Sequence, residues 1–110
     1  MNLINRSTKK ITITRGDSGR VGFRIRMGGI LYEMNEGDRF CFGVKRSYAD
    51  TECLIEKEYT ENPFILAIDP EDTKPLGFGS YVWDLQFIST DGYVKTLIAK
   101  KDFVITEEVV

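Results

Sequence analysis

Hydrophobic and polar positions alternate most strictly between Gly79 and Ile88, where Val82, Asp84 and Gln86 separate Tyr81, Trp83, Leu85 and Phe87. A period of two places the four large side chains on one face of a β-strand, and only a second layer keeps such a face from water. This stretch is predicted to be a central strand, with the rest of the chain supplying the layer above it.

Lys10 to Arg15 alternates Ile11 and Ile13 with Thr12 and Thr14, β-branched throughout, and predicts a strand. Arg20 to Met27 sets Val21, Phe23, Ile25 and Met27 against Arg20, Gly22, Arg24 and Arg26, predicting one strand with an apolar face and a basic face. Gly28-Gly29 suits a hairpin turn into a short return segment, Ile30 to Tyr32. After a turn at Asn35-Glu36-Gly37-Asp38, Arg39 to Lys45 directs Phe40, Phe42 and Val44 inward. Leu54 to Tyr59 carries Glu56, Lys57 and Glu58, which fits an edge strand because charges discourage edge pairing.

Asn62-Pro63 punctuates before Phe64, Leu66 and Ile68 alternate again. Asp69 to Phe78, with Pro70 and Pro75, reads as a crossover holding one helical turn. Thr90-Asp91-Gly92 is a hairpin signal, followed by a return strand over Tyr93 to Ala99 and Phe103 to Thr106, with a bulge or kink at Lys100-Lys101-Asp102. Glu107 to Val110 reads as a tail. About seven strands, turn signals roughly every 8 to 12 residues and no repeat predict an all-β fold: a single immunoglobulin-like antiparallel β-sandwich over residues 1–110. The inter-sheet disulfide and early Trp of antibody domains are missing.

Composition narrows the function classes. The 110 residues are 42% hydrophobic and 29% charged, as expected of one globular core. A net charge of −2 argues against a dedicated nucleic-acid binder, which carries a basic excess. Met1 to Lys10 has no apolar run like that of a signal peptide, and no window approaches a membrane span of about 18 apolar residues.

A chain without histidine cannot build a Ser-His-Asp or Cys-His site, so no enzyme, metal or cofactor is expected. Cys41 and Cys53 lack the spacing of a zinc site and read as reduced, buried thiols. Asp69, Glu71 and Asp72 read as a solvated turn whose Asp69 or Asp72 caps a short helix. Arg15-Gly16-Asp17 reads as a strand end, with Gly16 free to take positive φ.

The basic face is the candidate contact surface: Arg20, Arg24 and Arg26 suit an acidic protein partner. The structural alternative pairs them across strands with Asp84, Glu56 or Glu58. Tyr32, Tyr48, Tyr59 and Tyr93 fall at turns or strand ends. Two of them coplanar on one rim would favour a carbohydrate- or surface-binding module.

In order and spacing, the punctuation resembles the small immunoglobulin-like domains of phage tail and baseplate proteins, in particular the N-terminal domain of baseplate upper proteins. The residues that carry the resemblance are Arg15-Gly16-Asp17 with Phe23, Gly37-Asp38 leading into Phe42-Gly43-Val44-Lys45, and Ile68 with Pro70-Glu71-Asp72-Thr73 and Leu76. They continue in Gly79-Ser80-Tyr81, Trp83-Asp84-Leu85-Gln86, Asp91-Gly92 with Thr96-Leu97, and Phe103. The resemblance implies a phage or prophage virion component, assembled in the bacterial cytoplasm. It would act as a non-catalytic adaptor whose partners are other virion proteins or further copies of itself, not nucleic acid or membrane.

Overall fold

A computed structural model describes residues 3–107. The chain is mostly strand: β1 (Ile11–Thr14), β2 (Gly19–Phe23), β3 (Arg26–Met27), β4 (Ile30–Leu31), β5 (Arg39–Lys45), β6 (Ile55–Tyr59), β7 (Phe64–Ile68), the single turn α1 (Pro70–Thr73), β8 (Gly79–Ile88) and β9 (Val94–Thr106). The expected tail lies, beyond Glu107, outside the described residues.

Five strands form one sheet in the order β1-β9-β8-β5-β6, so the strand with the strictest alternation stands in the middle. Tyr81, Trp83, Leu85 and Phe87 are all buried. Their register against β5 places Phe40 beside Phe87, Phe42 beside Leu85 and Val44 beside Trp83, so one face of both strands enters the core together. β6 takes the predicted edge position. Lys57 on that edge is an inward-turned charge, joined to Asp72 of α1 at 2.8 Å and to Asp69 at 3.5 Å.

The second layer is the antiparallel pair β2 and β7, which contributes Val21, Phe23, Phe64, Leu66 and Ile68 to the core. Phe23 meets Trp83 edge-on with centroids 6.2 Å apart, and Phe64 stacks on Phe40 at 5.2 Å. These aromatic contacts are where the two layers interlock. The turns follow their residues: Gly28 and Gly29 both take positive φ between β3 and β4, and Asp69 accepts the predicted capping role, its backbone N–H donating to Asp72 Oδ2 at 2.7 Å.

Two expectations are corrected. The large sheet is mixed rather than antiparallel, because β1 runs parallel to β9 with Ile11 beside Phe103 and Ile13 beside Ile105. Arg20 to Met27 is not one strand: it breaks at Arg24 and Ile25, where the Asn62 side chain replaces the next rung of the ladder. Ile25 N–H donates to Asn62 Oδ1 at 3.1 Å, and Asn62 Nδ2 donates to the carbonyls of Ile25 at 2.9 Å and Tyr32 at 2.8 Å. Pro63 has no N–H with which to continue the pairing. The expected irregularity at Lys100 is present: β9 remains one strand, but its register against β8 shifts between the Trp83–Lys101 and Leu85–Ile98 pairs, with Lys100 at a φ of 58°.

Candidate interaction surface

The β2–β7 pair leaves one edge of β2 open, and hydrogen-bond parity identifies the groups on it. Along an antiparallel strand, successive residues direct N–H and C=O alternately to one side and the other. Ala67 N–H donates to the Tyr59 hydroxyl at 3.1 Å, so Ala67 faces away from β2. Its register partner Arg20, and Gly22 opposite Ile65, therefore face away from β7. Ile25 agrees with this parity, since its backbone bonds go to Asn62 on the β7 side. The N–H and C=O of Arg20 and Gly22 meet no other backbone or side chain among the described residues.

Arg20, Arg24 and Arg26 are all exposed. The strand break divides them: Arg20 lies on β2, Arg24 just past it, and Arg26 on the β3–β4 hairpin. None joins an ion pair among the described residues. The carboxylates considered as their cross-strand partners sit on the five-stranded sheet instead. Glu58 approaches Arg39 at 3.8 Å, Asp84 lies on β8, and Glu56 lies on β6.

Between Arg20 and Arg24, Gly22 leaves a gap. A Cβ there would meet nothing within 4 Å. Ile65, directly opposite, stays 61% exposed. Gly22, Phe23, Arg24, Pro63, Phe64 and Ile65 line a cavity of about 390 Å³. Pro63 also walls a neighbouring cavity of about 640 Å³ with Leu31, Tyr32 and Met34. Ile30, at the tip of the β3–β4 hairpin, is 72% exposed. Sequence reasoning named the arginines and missed Gly22, Pro63 and Ile65. The available signal was an isoleucine on the outward register of Phe64–Ile68.

The remaining candidates resolve structurally. Arg15 donates through Nε and Nη2 to the Lys74 carbonyl, and Gly16, at a φ of 84°, donates its N–H to Thr73 Oγ1 at 2.8 Å, so this tripeptide ends β1 and anchors the α1 segment. Cys41 and Cys53 are free thiols, but Cys41 is half-buried and Cys53 exposed, which corrects the expectation of burial. Loss of hydration raises both thiol pKa values, helped by the nearby charges of Glu58 for Cys41 and Glu56 for Cys53. No cluster of three or more metal-ligating side chains occurs among the described residues.

Tyr48 stands apart from the other three tyrosines. Tyr48 follows the Lys45 end of β5, whereas Tyr93 precedes Val94 beside Ile88, at the Arg39 end. Tyr32 and Tyr59 also lie toward the Arg39 end, where both are half-buried against Phe87 and Phe64.

Two carboxylates, Asp38 and Asp84, hold places in the fold that the sequence does not announce. Asp38, 3% exposed, accepts from Asn35 N–H at 3.0 Å, Tyr32 hydroxyl at 2.7 Å and Thr90 N–H at 3.2 Å. These bonds, led by that of Asn35, hold its carboxyl below the usual range. Asp84 sits half-buried on the outer face of β8, in a cavity of about 180 Å³ at the β8–β9 register shift. Burial pushes its pKa up, and the Lys45 charge opposes that shift.

Comparison of the chain with protein-family models and with curated proteins finds no match. No helix among the described residues is long and apolar enough to cross a membrane. What the geometry offers is a surface for contact: an open strand edge, guanidinium groups and an aliphatic floor in one place.

Proposed function

We propose that this chain is a non-enzymatic assembly module of a phage or prophage virion, in the tail or baseplate, acting by packing against another protein. One observation carries the reading. The open β2 edge, the arginines around it and the exposed Ile65 together form an apolar centre with a charged rim, the anatomy of a protein interface. The order of turn and strand residues resembling baseplate upper proteins supports the virion setting. Two packed layers and seven strands of four or more residues support an immunoglobulin-like sandwich as the finer description, with the parallel β1–β9 pairing as a departure from it. The sugar-binding alternative draws no support from Tyr32 and Tyr59, which are half-buried, or from Tyr48, which lies at the other end of the sheet from Tyr93.

Gradient fractionation of particles from a culture that encodes the chain tests this role. The chain is expected in fractions holding tail or baseplate particles, and Ile65→Glu is expected to shift it to the free fraction without unfolding it. Complete particles with the wild-type chain recovered only as free protein would contradict the proposal.

A further inference from the structure

We infer that the open edge of β2 binds an extended, acidic segment of a partner protein as an added β-strand. The inference rests on the assembly role and specifies its chemistry. Arg20 and Gly22 present N–H and C=O groups that no described residue satisfies, in the spacing of a strand edge. Main-chain bonding to such an edge supplies affinity, and alternate side chains of the added strand supply selectivity. Arg20, Gly22 and Arg24 alternate with the core-facing Val21 and Phe23, so their side chains stand on the outer face of this layer.

A strand laid beside β2 therefore sets its own outward residues next to Arg20, Gly22 and Arg24. Carboxylates suit the two arginine positions, because neither guanidinium has an anionic partner among the described residues. An aliphatic side chain suits the position at Gly22, where the missing Cβ leaves Ile65 uncovered. Arginines along an edge also deter indiscriminate pairing, so a partner that supplies the opposite charge is favoured over a second, like-charged edge.

The experiment is a titration of isotope-labelled protein, followed by backbone amide resonances. The probe, the Glu-Val peptide, is the synthetic pentapeptide Glu-Thr-Val-Thr-Glu, about as long as β2, whose alternate positions set Glu, Val and Glu on one face; the Lys-Val peptide has Lys in place of both Glu. Saturable shifts are expected at Arg20, Gly22 and Arg24. A Lys-Val peptide should give none, and the same Glu-Val peptide N-methylated on its edge-facing amides should give none. Arg20→Glu with Arg24→Glu should weaken the Glu-Val peptide by at least about tenfold and admit the Lys-Val peptide. Gly22→Pro, which removes an N–H outside the β2–β7 ladder, should abolish binding, while Gly22→Val should retain it.

Absence of saturable shifts at these amides, or shifts that survive both Gly22→Pro and peptide methylation, would overturn the inference. An oligodeoxythymidylate that shifts the same amides when the acidic peptide does not would assign the stripe to phosphate instead. Particle association without peptide binding would remove only the added strand. Peptide binding by a chain that never joins particles would remove only the virion role.

Discussion

The backbone N–H of Ala67 donates to the hydroxyl of Tyr59 at 3.1 Å, joining β7 to the edge strand of the other sheet. The Tyr59 ring stacks on Phe64 at a centroid distance of 4.6 Å, so its apolar body lies in the interlayer contact while its polar tip closes the side of the sandwich. Lys57, on the same face of β6, closes the adjoining stretch through Asp72. Side chains bridge this side of the molecule at Tyr59 and Lys57, while the outer edge of β2 has no such bridge among the described residues.

Tyr59→Phe should preserve the stacking and leave the Ala67 amide without its acceptor. Loss of one such bond costs about 0.5–1.5 kcal/mol. Chemical denaturation should report that loss, and hydrogen exchange should accelerate at Ala67 with little change at Val21.

Trp83 is 1% exposed, and its Nε1 donates to the Lys9 carbonyl at 3.0 Å, so it both fills the core and ties down the N-terminal segment. Trp83→Ala should cost about 3–5 kcal/mol, a large part of the stability of a domain this size. Trp83→Phe should cost less in denaturation while releasing the segment around Lys9, which proteolysis near that residue would detect.

Asp38 should make the fold acid-sensitive. Its native pKa is lowered, first by the Asn35 N–H and then by the Tyr32 hydroxyl. Its contribution is fully present above the ordinary carboxylate value of about 4 and is lost as pH falls through the lower native value. Asp38→Asn should reduce the melting temperature at neutral pH and flatten the acid limb of a melting-temperature profile.

Asp84 carries the opposite sign. Burial raises its native pKa above the unfolded value, so the charged form opposes folding above that pKa, and the opposition is relieved as pH falls through it. Asp84→Asn should raise the melting temperature at neutral pH, with the advantage shrinking in acid.

Much of the fold is legible because local pattern and tertiary need coincide. Tyr81, Trp83, Leu85 and Phe87 admit one face, and the Gly-containing turns mark where strands end. A period of two reveals which way side chains point but not a strand's partner or direction, so the parallel β1–β9 pairing was hidden. The break after Phe23 depends on the amide of Asn62, far along the chain, and no local feature of Arg20 to Met27 announces it. The same holds for Asp38, whose turn is readable while its bond to the Thr90 amide is not. At the contact surface the arginines were visible as a stripe. The aliphatic floor was not, because it exists only once Gly22 and Ile65 lie opposite each other.

The most direct measurement is residue-resolved amide hydrogen exchange along β2 in the isolated protein. An open edge predicts alternation: Val21 and Phe23, bonded to β7, should be protected, while Arg20 and Gly22 should exchange faster by at least about a hundredfold. Equal protection at all four amides would mean that the edge is already covered, and would contradict the account of this surface as a docking site.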